Sequence, residues 1–181
     1  TRYWRDWSSD VCSSDLATMA FLTWRDQYRV GLERIDREHR YLFDLINRFH
    51  DGHRGGAEPR ELQRMLNDLV QYSEEHFRHE EETMLENEYP GLSAHCGMHE
   101  KLYLAIFRLS EELAADSSSI TMDTHSFLRN WLVSHILTHD LQFADYLATR
   151  AEQATRDQDA SDAAKAKGGD EAKGAAPHDE A

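Results

Sequence analysis

The sequence predicts an all-α protein: an up-down-up-down four-helix bundle with an extended N-terminal arm and a disordered, acidic C-terminal tail. Three observations carry that prediction. Four stretches between residues 35 and 150 repeat apolar residues at three- and four-residue steps, the period of a helix that buries one face. Short segments rich in glycine, proline, serine and aspartate separate them, and short connections place successive helices antiparallel. Several of the buried stripes also carry histidine or glutamate where a core would ordinarily be apolar, which gives the bundle a polar centre.

Composition narrows the function classes. The 181 residues carry a formal net charge of −14. That balance disfavours nucleic acid, which needs clustered lysine and arginine, and an anionic membrane surface equally. No apolar run approaches the roughly eighteen residues of a membrane span. Two cysteines, Cys12 and Cys96, supply neither a bridge framework nor a paired zinc spacing, so a reducing, cytoplasmic location is expected. Eleven histidines are many for a chain of this size, and their spacing matters more than their number.

Residues 1–18 have neither helical nor strand periodicity. The run from Asp6 to Leu16 resembles a one-frame translation of a sequencing-adapter oligonucleotide, so this segment reads as a non-native leader, with Met19 as the expected start. The bundle domain then covers 19–150. From Phe21 to Gly31 the chain is apolar and aromatic without period, as expected of an arm laid along a groove. A first helix is predicted from Ile35 to His50, with Ile35, His39, Leu42, Phe43, Ile46 and Phe49 on its inner stripe, and Asp51 to Gly56 as its break.

The second helix starts near Pro59, a residue suited to a first turn. Its stripe of Leu62, Met65, Leu66, Leu69, Ser73, His76, Glu80 and Met84 changes from apolar to ligand-bearing. Asn87 to Gly91 turns the chain, since proline cannot continue a helix interior. The third helix, 92–115, carries His95, His99, Leu102, Ile106, Leu109 and Leu113 along one side and stops at the Asp-Ser-Ser-Ser run 116–119. A fourth, 122–150, turns Phe127, Leu128, Trp131, Leu132, His135 and Ile136 inward. Residues 151–181 contain no leucine, isoleucine, valine or aromatic and hold eight acids against four bases, a composition expected to stay disordered. The bundle itself keeps a net charge of about −9, so acidity belongs to it as well.

Residues four apart on a helix share a face with about 6 Å of rise between them, so His76 pairs with Glu80 and His95 with His99. The inward positions together supply His39, His76, Glu80, His95, His99 and His135, drawn from all four helices. A buried histidine or glutamate is costly unless paired or metal-bound. Any one of these histidines alone would read as a solvated or satisfied residue, but six such groups at one depth call for metal. A nitrogen-rich set with few carboxylates and no thiolate suits a transition metal rather than calcium or magnesium. It is too large for one tetrahedral zinc, and two metals bridged by carboxylate account for it. The run His79-Glu80-Glu81-Glu82-Thr83 lacks the second histidine of a zinc-protease helix.

These residues resemble the bacteriohemerythrin family of oxygen-binding, non-haem di-iron four-helix bundles. The likeness rests on 24–31 in the arm, Ile35-Asp36-Arg37-Glu38-His39, His76-Phe77 with Glu80 and Met84, Tyr89-Pro90, His95 with His99, and 131–136 with Asp140. The resemblance implies His95, His99 and His135 on one iron and His39 with His76 on the other. Glu80, Asp140 and an oxo or hydroxo group would bridge them, with one coordination place open to dioxygen. It further implies an apolar oxygen pocket of Phe77, Trp131, Leu132 and Ile136 that keeps water out. Asp140 rests on resemblance alone: five residues from His135 is about 140° round a regular helix, so an irregularity there is expected, whereas His139 holds the better face.

The family likeness therefore predicts reversible dioxygen binding for storage, transport or sensing, with no catalysis. An oxygen-consuming enzyme would be the recipient, and the oligomeric state is left open. The alternative is a di-iron redox enzyme, an oxidase or a peroxide or nitric oxide reductase, which calls for more carboxylates and open places. A regulatory sensor would need an output module, and the polar tail does not read as one. His50, His53, His79, His125, His139 and His178 read as surface residues. Glu81 and Glu82 read as a solvated acidic face, and Cys96 as a small packed residue. Gly97, between two ligand positions, costs helix propensity.

Overall fold

A computed structural model describes residues 20–115 and 120–171. The expected leader, the 116–119 stop and residues 172–181 lie outside the described residues. Four helical rods form the bundle, as predicted. They are α1 (Glu33–Arg54), α2 (Pro59–Glu86), α3 (Leu92–Ala115), and a last rod in which α4 (Met122–His135) runs through a π-turn (Ile136–Asp140) into α5 (Leu141–Glu171).

The arm lies on the bundle through specific bonds. Asn47 brackets Leu22, accepting from its N–H and donating to its carbonyl, both at 2.8 Å. Asp36 accepts from the N–H of Val30 at 2.8 Å. Tyr28 and Trp24 pack against Phe43, each with ring centres 5.3 Å away. The arm includes a short 3-10 turn, Asp26–Tyr28, whose Tyr28 is buried.

Most of the predicted inner stripes are buried, and Leu42, Ile46, Phe49, Leu66, Leu69, Ile106 and Leu128 form the apolar core. Three boundaries and faces differ. The first helix does not stop at His50 but continues to Arg54. Gly52 lies within this extension, where a Cβ would sit 3.0 Å from Sδ of Met65 on α2, and the break comes at Gly56, whose φ is +75°. Phe127 is exposed, and His125 takes the inward position on α4. Third, the chain beyond 150 is not structureless as far as Glu171, because α5 carries on through it. Its alanine-rich sequence favours helix, and pairs such as Arg156–Glu152 add surface support, yet residues 151–165 are exposed, as their lack of apolar residues dictates.

The α2–α3 hairpin ends the bundle beside the polar centre. Glu88 adopts φ 55°, a left-handed conformation costly for any residue with a Cβ. Gly91 is required by close approach, because a Cβ there would meet the Tyr89 ring at 2.6 Å. Arg150 on α5 clasps this turn, reaching the Glu88 carboxylate at 2.7 Å.

Candidate metal centre

Each rod delivers its polar residues to the same depth for a local reason. On α1, His39 follows the apolar phase of Ile35 and Leu42 and is fully buried. On α2, the i,i+4 spacing of His76 and Glu80 keeps both on the stripe that buries Ser73 and Met84. On α3, His95 and His99 occupy the first two turns, directly after the Pro90-Gly91 turn. On the fourth rod, the π-turn supplies the irregularity that Asp140 requires. One extra residue per turn brings position i+5 back toward the face of His135, and Asp140 becomes fully buried.

All seven residues predicted as ligands come together. Five of them, Glu80, His95, His99, His135 and Asp140, each offer one donor atom within 4.8 Å of the others. The Nε2 of His99 lies 2.9 Å from that of His95 and 3.0 Å from that of His135. His39 and His76 stand together on the other side of Asp140, ring centres 4.7 Å apart. Asp140 divides its oxygens between the two sets: Oδ1 is 3.0 Å from Nε2 of His135, and Oδ2 is 3.2 Å from Nε2 of His39. Glu80 turns Oε2 to His95 and His99, 3.2 Å from each, and its Oε1 is buried without a partner.

The donor set fits metal. His39 Nε2, His76 Nε2 and both Asp140 oxygens are buried without an aligned hydrogen bond, which is expensive for groups left bare. Imidazole nitrogens bound at right angles to one ion, with bonds of about 2.1 Å, stand about 3.0 Å apart, the spacing seen around His99. Electrostatics agree. Burial and the Asp140 charge push the Glu80 carboxyl up, but the contacts of its Oε2 with His95 and His99 outweigh them and hold it below the usual range. Burial also raises Asp140, yet the charges of His135 and His39, close to its oxygens, keep it well below an ordinary aspartate. Desolvation lowers His76, while His95 is raised because its contact with Glu80 overcomes the same burial penalty.

Around this set lie partners that sequence reasoning missed. Glu38 is buried and accepts from Nδ1 of His76 at 3.1 Å and of His79 at 2.9 Å. Glu81, expected on a solvated face, instead bonds Nδ1 of His99 at 2.8 Å. His79 is thus engaged, and His139 is half-buried with its ring centre 5.3 Å from that of His135. Helical phase put both carboxylates at the edge of the ligand face, and only the neighbouring helix decides where they reach. Phe77 stacks on His99, ring centres 4.0 Å apart, and is buried in one cluster with Trp131, Leu132 and Ile136.

At the opposite end of the bundle His50 and His125 are buried, contrary to expectation, and His53 is half-buried. His53 Nδ1 lies 2.8 Å from Nε2 of His125, and Phe21 of the arm stacks on His50 at 4.1 Å.

Rods and donors together define a four-helix bundle built around a candidate metal centre. The comparison with known proteins makes this specific: residues 30–147 match the Hemerythrin HHE cation binding domain, and the chain belongs to that family. It is 30% identical over 141 residues to a bacteriohemerythrin of Stenotrophomonas maltophilia, covering 77% of this chain and 90% of the relative. A myohemerythrin of Riftia pachyptila is 32% identical over 120 residues, 66% of this chain and 88% of its own length. A crystal structure of wild-type hemerythrin superposes with a TM-score of 0.65 at 30% identity, covering 70% of this chain and 97% of that one. Among the described residues no helix is long and apolar enough to cross a membrane.

Proposed function

We propose that this chain binds dioxygen reversibly at a carboxylate-bridged, non-haem di-iron centre, for oxygen storage, transport or sensing rather than for catalysis. The observation that supports it most is the division of Asp140, one oxygen toward His135 and the other toward His39, so that a single carboxylate faces both histidine sets. His95, His99 and His135 would hold one iron and His39 with His76 the other, with Glu80 and Asp140 shared. Two ferrous ions held there, with an oxo or hydroxo group as a further shared ligand, would supply the two electrons that dioxygen takes up on binding and gives back on release.

The chain's own contribution is to hold and to exclude. Glu38 and Glu81 fix the rings of His76 and His99 from behind, which leaves each Nε2 to face the centre. Phe77, Trp131, Leu132 and Ile136 form an apolar wall that keeps water from the buried donors and so would slow autoxidation of the iron held there. The names of the relatives, bacteriohemerythrin and myohemerythrin, accord with this reading.

The test is iron content together with the visible spectrum under air and after removal of oxygen. Two irons per chain with a reversible colour change support carriage, whereas irreversible bleaching with substrate turnover would favour a redox enzyme. Glu80→Ala should lose much of the iron, and a variant with full iron and an unchanged spectrum would contradict the assignment.

A further inference from the structure

Each imidazole of the centre has a second nitrogen, and what that nitrogen meets differs among the five. His39 Nδ1 and His135 Nδ1 are buried without a partner. Two others meet carboxylates, one behind each histidine set: Glu38 behind His76 and Glu81 behind His99. These two are not alike. The Glu38 side chain is 10% exposed and is shared with His79 and Arg34. The Glu81 side chain is 34% exposed. It lines a cleft of about 550 Å³ between α2 and α3 that His99 and Phe77 also line. His99 is therefore the one candidate ligand held by a carboxylate that stands in an open cleft.

We propose that Glu81 is a positioning residue of the centre. It accepts the Nδ1 proton of His99, fixes the tautomer that leaves Nε2 bare toward His95 and His135, and so governs how readily the three-histidine set exchanges its metal with solution. The proposal deepens the di-iron reading and rests on it for the metal step. A partner of this kind raises the basicity of the ligand and locks its ring, and loss of one typically weakens metal binding about 10- to 100-fold. Because Glu81 is partly exposed and has no role in the apolar core, its replacement leaves the fold intact. The contact with His99 can then be tested separately from stability.

The experiment compares wild type with Glu81→Ala, Glu81→Gln and Glu75→Gln, the last changing another carboxylate of the same cleft. Iron release into excess ferrous chelator without oxygen should be about 10- to 100-fold faster in Glu81→Ala. Glu81→Gln, whose amide oxygen still accepts from Nδ1, should fall between it and wild type, and Glu75→Gln should match wild type. In the metal-free proteins, nitrogen-15 spectra of the histidine rings should show His99 protonated at Nδ1 in wild type and as a mixture of tautomers in Glu81→Ala. Equal release rates, or an unchanged His99 tautomer in Glu81→Ala, overturn the proposal. A wild-type chain that takes up no iron overturns the di-iron reading instead, and the tautomer measurement then decides the role of Glu81 alone.

Discussion

Replacing Asp140 by asparagine keeps the side chain's volume and removes its charge, which isolates what the carboxylate does. Asp140 is fully buried and faces nitrogens from three rods: His135 at 3.0 Å, His39 at 3.2 Å and His95 at 3.5 Å. Breaking a buried charged set by removing one partner costs about 3–5 kcal/mol. In a domain of this size each kcal/mol lowers the melting temperature by about 2–4 °C, so the metal-free variant should melt roughly 6–20 °C below wild type at neutral pH. The sign with pH follows from the depressed carboxyl: its contribution is full above the ordinary aspartate value and is lost as acid protonates the folded form, so the difference between the two proteins narrows at low pH. Melting followed by circular dichroism gives the first number, and iron per chain after anaerobic reconstitution should fall below two. A variant that melts with wild type and still holds two irons would refute the idea that Asp140 joins the histidine sets.

Three further outcomes follow from local geometry. Gly97 sits inside α3 with open space, nothing within 4 Å, where an alanine Cβ would stand, so Gly97→Ala should stabilise by about 1 kcal/mol in denaturant unfolding, with iron content unchanged. Glu88→Gly relieves the φ of 55° at the α2–α3 turn and should gain up to about 1 kcal/mol in spite of the lost contact with Arg150, and a loss of stability would show that the contact dominates. Burial, with the charges of His50 and His53, holds the His125 ring down to about 4, so the unfolded chain binds an extra proton between that value and 6.5 and stability falls as pH drops through this window. The loss is at most about 3 kcal/mol and roughly 1–2 kcal/mol with screening through half-buried His53, and His125→Phe should flatten it in urea titrations across that range.

The rods and their inner faces were legible because period and burial coincide over long stretches. So were the six donors that lie in helical phase, since imidazole or carboxylate replaces an apolar residue without breaking the stripe. Asp140 was not readable from spacing, because the π-turn that carries it depends on how five residues hydrogen-bond and not on their composition. His50 was read as surface on helical phase, yet it lies in phase with His39, eleven residues earlier, and is buried. At the start of α4 the larger apolar Phe127 was preferred over His125, although 125, 128, 132 and 135 form the true stripe. The contacts of Glu38 and Glu81 could not be read for a different reason: each acts across to another helix, and a single helix's phase cannot report that. The alanine-rich run after 150 shows that a segment unable to bury surface can still hold helical hydrogen bonds.

The claim at the centre of this account is that two metal positions share one aspartate. Crystals of the iron-loaded protein, measured on either side of the iron absorption edge, locate those positions directly. The account predicts two anomalous peaks, one among His95, His99 and His135 and one beside His39 and His76, with Asp140 and Glu80 between them. One peak, or two that lie away from these side chains, would contradict it.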